Sequence, residues 1–344
     1  MKKKVAIIGA GQVAEKVHVF YYNTREELEV AAVVDPNLDR VRDFAERNNI
    51  PRYFTCAEEM YAVIKPDIVS VCTPNRCHCE NVLLAVANGC DVMCEKPPAI
   101  SAAEAMAMRD AAEANDCLLA YDFHHRFAED VSILQKKYKE GALGDVYVTK
   151  VQALRRCGIP GWGSFTNKEI QGGGPLIDLG AHMLDAAFYV LGFPKIKRVS
   201  AKMYQKIGTK KSKGTLGEWD PKKYEVEDSL FGFIELEDGG LVQLETSFAL
   251  NIKDTSVMNV EFCGDEAGAT LYPAQIYTDR DGKLSYLLQR DAADDDRHHK
   301  SMMAFVDRCL GKEAMVANGE QGFYIQQLIE AIYLSAEKGE SVAL

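Results

Sequence analysis

The 344-residue chain is 47% hydrophobic and 26% charged, which is typical of a globular protein large enough for two domains. Its formal net charge of −11 at pH 7 predicts no nucleic-acid partner, because a nucleic-acid site needs a basic face. No stretch approaches the roughly 18 apolar residues that cross a membrane, so we expect no membrane partner. Polar residues interrupt the apolar run after Lys2–Lys4, which indicates no export signal, and the ten cysteines are then reduced thiols of a cytoplasmic protein.

A glycine-rich segment follows the first predicted strand, at residues 5–8. Residues 9–14, GAGQVA in one-letter code, match the G-x-G-x-x-G/A pattern of a dinucleotide-binding turn, and a helix then runs to about residue 22. Gly9 makes the tight turn, and Gly11 lets a pyrophosphate approach the helix N-terminus, where free amides and the helix dipole favour negative charge. The segment therefore predicts a nucleotide site.

The next predicted strand, at residues 28–34, ends at Asp35. A carboxylate at this position binds the ribose hydroxyls of the adenosine and repels a 2′-phosphate, which favours NAD over NADP. Arg40 is close enough in the chain to leave NADP open. The alternative for Asp35 is a turn residue at a strand end, before Pro36.

Strands and helices alternate as far as residue 121, an order that predicts a parallel sheet covered by helices on both faces. The predicted strands are 67–72, 91–94 and 118–121, and the predicted helices are 38–48, 57–64, 78–88 and 101–115. Ligands of such sheets bind beyond the carboxyl ends of the strands. The candidate residues at those ends are Asp35, Thr73, Asn75, Glu95 and Lys96.

Lys96 differs from the other strand-end residues because two prolines, Pro97 and Pro98, follow it and restrict the backbone. Its ammonium group could hydrogen-bond a substrate hydroxyl and stabilise the alkoxide that forms when a proton leaves. The alternative is an ordinary surface lysine in a turn. The Lys96–Pro97 peptide is also a candidate for the cis form.

Three cysteines and a histidine between residues 72 and 79 raise the question of a zinc site. Cys72, Cys77 and Cys79 contain no C-x-x-C pair, and no second group of ligands follows later in the chain. We therefore expect no metal, and we place His78 at the start of a helix near the cofactor.

The candidate catalytic stretch begins with a turn at residues 172–175 and continues as a helix with an apolar stripe. Asp178 and His182 are four residues apart, so both project from one face of that helix, and Asp185 lies near the same face. A carboxylate one turn before an imidazole can fix the tautomer of the ring and raise its basicity, as a histidine base requires. The alternative is a helix N-terminus in which Asp178 is a first-turn charge and His182 is a packed polar residue.

The second half of the chain contains consecutive strand-like segments, which predict a mainly antiparallel sheet. The predicted strands are 146–154, 199–204, 229–236, 240–248, 257–263 and 269–272. One face of such a sheet can pack on the helix that carries His182, and the other must be covered, so we expect a homodimer or a homotetramer. Helices at 300–310 and 321–338 close the chain.

Arg155 and Trp162 lie near the end of the first of these strands, shortly before the candidate catalytic helix. A guanidinium group suits the hydroxyls of a sugar, and an indole suits its apolar ring face. The alternative for Trp162 is an anchor for a glycine-rich loop.

Three blocks of the chain stand together in order and spacing: GAGQVA at 9–14, CTPNRCH at 72–78 followed by CEKP at 94–97, and GGGPLIDLGAHMLD at 172–185. In this combination the chain resembles the Gfo/Idh/MocA family, which is named for glucose–fructose oxidoreductase and inositol 2-dehydrogenase. The resemblance implies an α/β Rossmann domain, at residues 1–122, and an α+β domain with an open, mainly antiparallel sheet, at residues 123–344.

The resemblance also implies roles for individual residues, and Lys96, Asp178 and His182 form the implied catalytic set. The candidate cofactor residues are Gly9, Gly11, Gln12, Val13, Asp35, Thr73, Asn75, His78, Glu95 and Lys96. Many relatives carry an Asn-Arg-Arg-Phe-like segment that lines the site, where this chain has a pair of histidines before Arg126. The candidate substrate residues are His124, Arg126, Arg155, Trp162, Asp178 and His182.

These residues predict an NAD-dependent dehydrogenase that oxidises a secondary hydroxyl of a sugar, of a glycoside (at C3 as one option) or of a cyclitol. His182 takes the hydroxyl proton, Asp178 orients and charges the ring, Lys96 polarises the reacting oxygen, and a hydride passes to C4 of the nicotinamide. One alternative keeps NAD bound and cleaves a glycoside through transient C3 oxidation and elimination. The other is a nucleotide-sensing regulator without catalytic activity.

Overall fold

The computed structural model describes residues 2–292 and 295–344, and the chain divides into two compact units. The first unit contains the chain as far as Phe123 together with His298–Gln326, and the second contains His124–Arg297 and Gln327–Leu344. The sequence predicts a single boundary, between residues 122 and 123. In the structure the chain returns to the first unit through the segment at 298–326.

Six parallel strands form the sheet of the first unit. They are β1 (Lys3–Ile8), β2 (Leu28–Val34), β3 (Tyr53–Phe54), β4 (Ile68–Val71), β5 (Asp91–Cys94) and β6 (Leu119–Tyr121). Their order is β3-β2-β1-β4-β5-β6, so the direction of strand addition reverses between β1 and β4. Ligands bind at such a reversal, outside the carboxyl ends of the strands. The predicted Rossmann sheet is confirmed, with the short edge strand β3 as an addition.

Most helices of the first unit begin and end within two residues of the predicted positions. They are Leu38–Arg47, Ala57–Ile64, His78–Ala87 and Ala102–Ala114, and a 3-10 turn spans Asn75–Cys77. The helix after the glycine turn differs, because a π-helical segment at Ala14–Val19 precedes a short α-helical turn at Phe20–Tyr22. A π-helical segment often accompanies a functional position, and this one carries the buried His18.

The segment at 298–326 completes the apolar core of the first unit. The helix Arg297–Cys309 places Met302 and Phe305 in the cluster that contains Val5 and Ile7, and all four side chains are completely buried. Burial of each such side chain stabilises the fold by about 1.5–3 kcal/mol. The last helix, Gly319–Lys338, also begins in this unit and ends in the other.

The second unit is built on a nine-stranded sheet. Its strands are β7 (Val146–Arg155), β8 (Ile196–Tyr204), β11 (Ser229–Leu236), β12 (Leu241–Ser247), β13 (Ser256–Gly264), β14 (Gly268–Thr270), β15 (Gln275–Arg280), β16 (Lys283–Gln289) and β17 (Val342–Ala343), while β9 (Lys213–Gly214) and β10 (Gly217–Glu218) form a separate hairpin. The order is β16-β15-β14-β13-β7-β12-β11-β8-β17. Only β7 and β12 pair in parallel among these described strands, so the predicted mainly antiparallel sheet is confirmed.

Helices cover one face of this sheet. They are Glu129–Lys139, Lys168–Gln171, the π-helical segment Leu176–Gly180 and Ala181–Leu191, with 3-10 turns at His124–Phe127 and Pro221–Lys223. Gly180 allows close packing, since a Cβ there would lie 2.9 Å from the Cγ2 atom of Thr246 in β12. On the other face, Phe233 remains 50% exposed and Tyr204 42% exposed.

Within the described ranges, none of the helices combines the length and the hydropathy that crossing a lipid bilayer requires.

Candidate active-site residues

The two glycines of the nucleotide turn lie in different surroundings. Gly9 has a φ of 100°, and a Cβ there would lie 2.6 Å from the carbonyl oxygen of Cys72, so conformation and close packing both require glycine. Gly11 is exposed, and a Cβ there would meet no atom of the described residues within 4 Å. The room beside Gly11 fits a group that approaches the backbone closely, as a pyrophosphate does. Gln12, which is exposed, and the partly buried Val13 follow at the start of the helix.

The carboxylate of Asp35 links the end of β2 to the glycine turn. Its Oδ2 atom accepts a hydrogen bond from the amide of Ala10 at 3.1 Å, and its Oδ1 atom accepts one from the amide of Asn37 at 3.0 Å. Nη1 of Arg40 lies 3.5 Å from Oδ2. Asp35 is therefore fixed at the edge of the sheet where the sequence predicts the ribose.

The ring of His78 connects two loops at the carboxyl edge of the sheet. Nδ1 lies 2.8 Å from the carbonyl oxygen of Pro97, and Nε2 lies 3.0 Å from that of Thr73. A neutral ring has one N–H and donates to one carbonyl at a time. The ring is completely buried, and this burial lowers the pKa of His78. His78 therefore lies beneath the loops, where it positions their backbone instead of facing a ligand.

A buried chain of hydrogen bonds leads from Glu95 into the interior of the first unit. Nε2 of His18 is 2.9 Å from Oε1 of Glu95, and Nδ1 of the same ring is 2.9 Å from Oγ of Ser70. This Oγ atom is 2.7 Å from the hydroxyl oxygen of Tyr22, and burial raises the pKa of Tyr22. The network fixes Glu95 and the start of the segment that carries Lys96. The peptide bond between Lys96 and Pro97 is cis.

The turn before the candidate catalytic helix is held by a buried carboxylate. Glu227 accepts hydrogen bonds from the amides of Gly174 at 2.9 Å and Leu176 at 3.2 Å, and the hydroxyl of Tyr333 donates to it at 2.8 Å. Burial raises the pKa of Glu227. A Cβ on Gly174 would lie 2.4 Å from the carbonyl oxygen of Glu227, so glycine is required for this close approach.

Asp178 and His182 lie on consecutive helical segments instead of one regular α-helix. Asp178 belongs to the π-helical segment Leu176–Gly180, and His182 lies in the first turn of Ala181–Leu191. The amide of Ala181 bonds to the carbonyl of Leu176, so this turn is wider than the α-helical turn that the spacing suggests. His182 is 7% exposed and Asp178 is partly buried.

Three imidazole rings meet in the second unit. The centroid of the His182 ring lies 4.6 Å from that of His124 and 5.0 Å from that of His125, and the latter two centroids are 4.7 Å apart. The sequence predicts a substrate role for His124. It does not predict that both neighbouring histidines contact the candidate base.

Arg297 and Tyr272 both contact His125. Nη1 of Arg297 donates to Nδ1 of His125 at 3.1 Å, and the guanidinium carbon lies 4.3 Å from the centroid of the Tyr272 ring. The Tyr272 hydroxyl donates to the carbonyl oxygen of His125 at 3.1 Å. Because an arginine can only donate, Nδ1 is an acceptor in this arrangement.

Arg126 does not have the position that a substrate-binding residue needs. Its guanidinium group is completely buried in an ion pair with Asp185, which is also completely buried. The guanidinium carbon lies 5.0 Å from the ring centroid of Tyr189 and 5.6 Å from that of Phe193. The predicted substrate contact of Arg126 is therefore corrected to a structural ion pair between the turn His124–Phe127 and the helix Ala181–Leu191.

Arg155 and Trp162 lie in different environments. Nη1 of Arg155 donates to the carbonyl oxygen of Gly158 at 3.3 Å. Burial lowers the pKa of Arg155, and the negative charge of Asp178 opposes this shift, so the guanidinium and the carboxylate lie close enough to interact. Trp162 is 52% exposed, and its ring contacts Phe165 with a centroid distance of 6.2 Å.

Two buried residues, Glu227 and His18, have structural roles that the sequence does not predict. Glu227 caps a turn that precedes it by 53 positions, and His18 reaches a carboxylate 77 positions further along the chain. For Asp185 the sequence predicts a position on the helix but not the ion pair with Arg126. For His18 and Asp185 the available signal is a polar residue within an apolar stretch, since such residues are rarely buried without a partner. Glu227 lies in a charged stretch and offers no such signal.

Two sequence profiles match the chain, and together they span nearly all of it. One, described as "Oxidoreductase family, NAD-binding Rossmann fold", matches residues 3–123, and the other, "Oxidoreductase family, C-terminal alpha/beta domain", matches residues 136–344. Over 341 residues the chain is 58% identical to the D-glucoside 3-dehydrogenase of Escherichia coli (strain K12), covering 99% of this chain and 97% of that protein.

Solved structures of the same fold are similar over the whole length. The aldose-aldose oxidoreductase of Caulobacter crescentus, complexed with glycerol, has a TM-score of 0.81 at 25% identity, and the match covers 100% of both chains. Levoglucosan dehydrogenase in complex with NADH and levoglucosan has a TM-score of 0.85 at 19% identity, covering 100% of this chain and 99% of that one, and this likeness shows the fold alone. On the two family matches, the chain belongs to the Gfo/Idh/MocA family of NAD-binding oxidoreductases.

Proposed function

We propose that this oxidoreductase transfers a hydride from a secondary hydroxyl of a glycoside, at C3 of a D-glucoside, to NAD. The 58% identity to a D-glucoside 3-dehydrogenase, over 99% of the chain, is the observation that carries this proposal. A free sugar or a cyclitol such as inositol is the less supported substrate class. The glycoside comes first because it is the substrate named for that relative.

The proposed cofactor site lies at the carboxyl edge of the first unit's sheet. The free space at Gly11 accommodates the pyrophosphate, and Asp35 accepts hydrogen bonds from the ribose hydroxyls. We assign NAD rather than NADP because a 2′-phosphate beside the Asp35 carboxylate would be repelled. Thr73, Asn75, Glu95 and Lys96 complete the proposed contacts, while His78 acts from beneath as a positioning residue.

Bound NAD supplies the hydride acceptor at C4 of its nicotinamide. His182 takes the proton of the reacting hydroxyl, and the carboxylate of Asp178 favours the protonated ring that results. The ammonium group of Lys96 donates to the same oxygen and stabilises its developing negative charge. Replacement of His182 by Asn should therefore lower kcat by about 10²–10⁴-fold while NAD binding stays unchanged.

The proposed substrate contacts lie in the second unit. His124, beside His182, and the Arg155 guanidinium bind hydroxyl groups, and the exposed Trp162 ring offers an apolar surface to one face of the sugar. Arg126 is not among the proposed substrate contacts, because its side chain is completely buried.

The experiment uses methyl D-glucoside as the probe and follows NADH formation, with NAD and NADP in parallel. The 3-deoxy analogue is the matched control, because it keeps every other hydroxyl and lacks the one to be oxidised. Reduction of NAD by the parent and not by the 3-deoxy compound supports the proposal. Equal reduction with both compounds, or with neither, would contradict it.

The same assay separates dehydrogenation from glycoside cleavage. A dehydrogenase releases one NADH for each 3-keto product, whereas oxidation followed by elimination and re-reduction releases the aglycone without net NADH. Accumulation of NADH with the glycosidic bond intact is the outcome that we expect.

A cytoplasmic homodimer or homotetramer is the proposed physiological form. The uncovered face of the nine-stranded sheet carries Phe233 and Tyr204 as exposed aromatic side chains, and an apolar surface of this kind favours a self-complementary contact. All ten cysteines are free thiols, as in a reducing compartment. Phe233→Glu should lower the sedimentation-derived mass, and an unchanged mass would place the contact elsewhere.

A further inference from the structure

We propose that His124, His125 and His182 form a binding site for a divalent transition-metal ion, with Zn²⁺ as the occupant. Three imidazole nitrogens are a common ligand set for zinc, and they leave a fourth position open. The expectation of no metal depended on the spacing of cysteines near His78. The three rings of this site come together only through the fold of the second unit, so the cysteine spacing does not bear on them.

The positions of the rings agree with a tetrahedral site. One ring nitrogen of each histidine lies within 4.8 Å of those of the other two, and the ring centroids are 4.6, 4.7 and 5.0 Å apart. Zinc–nitrogen distances of about 2.0–2.1 Å place ligand nitrogens about 3.3 Å apart and ring centroids about 5 Å apart. The nitrogens would have to approach by no more than about 1.5 Å to reach that spacing, which small side-chain rotations supply.

The backbone that carries the rings is fixed by the ion pair described above. His124 and His125 lie in the same turn as Arg126, and His182 lies one turn before Asp185 on its helix. The buried Arg126–Asp185 pair joins that turn to that helix, so the three rings are held together before any ligand arrives. Preorganisation of this kind is what a metal site needs from its supporting residues.

Arg297 is the group that competes with a metal ion. Its guanidinium donates to Nδ1 of His125. If His125 binds the metal through Nδ1, the ion takes the place of the guanidinium. If His125 binds through Nε2, then Nδ1 must carry the proton of the neutral ring and can no longer accept from Arg297. In both cases Arg297 has to withdraw, so it weakens metal binding.

Occupancy of this site has a consequence for the proposed reaction. A ring nitrogen of His182 that is bound to a metal has no lone pair left to accept the substrate proton. Zn²⁺ is therefore an inhibitor that acts at the base itself. This consequence depends on the proposed function, whereas the existence of the site does not.

The test measures metal binding directly on tag-free protein that has been dialysed against a chelator. Co²⁺ replaces Zn²⁺ as the spectroscopic probe, because tetrahedral Co²⁺ absorbs strongly in the visible range. We expect one tetrahedral Co²⁺ per chain, displaced by Zn²⁺. His124→Asn and His125→Asn should each weaken binding at least about tenfold, which is 1.4 kcal/mol, while the exposed His299→Asn is the matched control and should bind as the parent does.

Arg297→Ala provides the second variant, and it should tighten Co²⁺ binding. The site is refuted if no tetrahedral spectrum forms, or if the His124 and His125 variants bind as well as the His299 variant. Stimulation of glycoside oxidation by Zn²⁺ would refute the proposed inhibition but not the existence of the metal site. Co²⁺ binding in a protein that oxidises no glycoside would refute the proposed function alone.

Discussion

Alanine substitutions at the two glycines of the nucleotide turn should separate folding from cofactor binding. At Gly9 the added methyl would lie 2.6 Å from the carbonyl oxygen of Cys72, on a backbone with a φ of 100°. The strained conformation costs about 1–3 kcal/mol, and overpacking against backbone adds about 1–3 kcal/mol. Gly9→Ala should therefore lower the free energy of unfolding by about 2–6 kcal/mol, a large part of the roughly 5–15 kcal/mol of a typical protein.

Gly11→Ala is the matched variant, because it adds the same methyl two residues further on. A Cβ there meets no described atom within 4 Å, so we expect a change in the free energy of unfolding within about 0.5 kcal/mol. The methyl occupies the space that we assign to the pyrophosphate. The dissociation constant for NAD should rise at least about tenfold, or 1.4 kcal/mol.

Urea titrations followed by circular dichroism give the unfolding free energies, and isothermal titration calorimetry gives the NAD affinities. The reasoning fails if Gly11→Ala destabilises the protein as much as Gly9→Ala does. It also fails if Gly11→Ala binds NAD like the parent, because the open space would then have another purpose.

Three further tests concern the buried polar groups Glu227, Asp185 and Tyr22. Burial raises the pKa of Glu227 above its ordinary value of 4.5, so the folded protein binds this proton more tightly and loses stability as the pH rises from 4.5 through the raised pKa. Urea titrations at successive pH values should therefore show Glu227→Gln gaining stability relative to the parent over that range. A difference in the free energy of unfolding that stays constant with pH would contradict the raised pKa of Glu227. Asp185→Asn should lower the free energy of unfolding by about 3–5 kcal/mol, because Arg126 stays buried without its counter-charge. The double variant that combines Asp185→Leu with Arg126→Met should lower it by less. Equal decreases in melting temperature for the two variants would be evidence against a structural ion pair. Tyr22→Phe removes one hydroxyl from the network of His18 and should cost about 1 kcal/mol with an unchanged NAD affinity by calorimetry, whereas weaker NAD binding would give the network a direct role.

The Rossmann half of the chain could be predicted closely because its signals are local. The glycine turn and each carboxyl-end residue follow their own apolar strand within a few positions. The short edge strand Tyr53–Phe54 was missed since two residues carry no periodicity.

The second half was predicted less completely. Strands β15 and β16 pair with each other at the edge of the sheet, and their partly exposed residues lack the alternation of a half-buried strand. The π-helical segment Leu176–Gly180 was predicted as regular helix, because a single wide turn leaves no mark in the hydrophobic pattern. It follows that the four-residue spacing of Asp178 and His182 does not fix the angle between the two side chains.

The position of Arg126 shows a general limit of reasoning from sequence. A charged residue beside two histidines suggests ligand recognition, yet its partner lies 59 positions away. Whether a guanidinium faces solvent or an interior carboxylate depends on tertiary pairing, which local composition does not encode.

The return of the chain at 298–326 matters during translation. Helix Arg297–Cys309 supplies Met302 and Phe305 to a core whose strands are synthesised first. At about 5–20 residues per second, roughly 10–40 s pass between the synthesis of Phe123 and that of Cys309. Throughout that interval the nascent Rossmann sheet displays an uncovered apolar patch, a natural target for chaperones, and a fragment ending at Phe123 would keep that patch permanently.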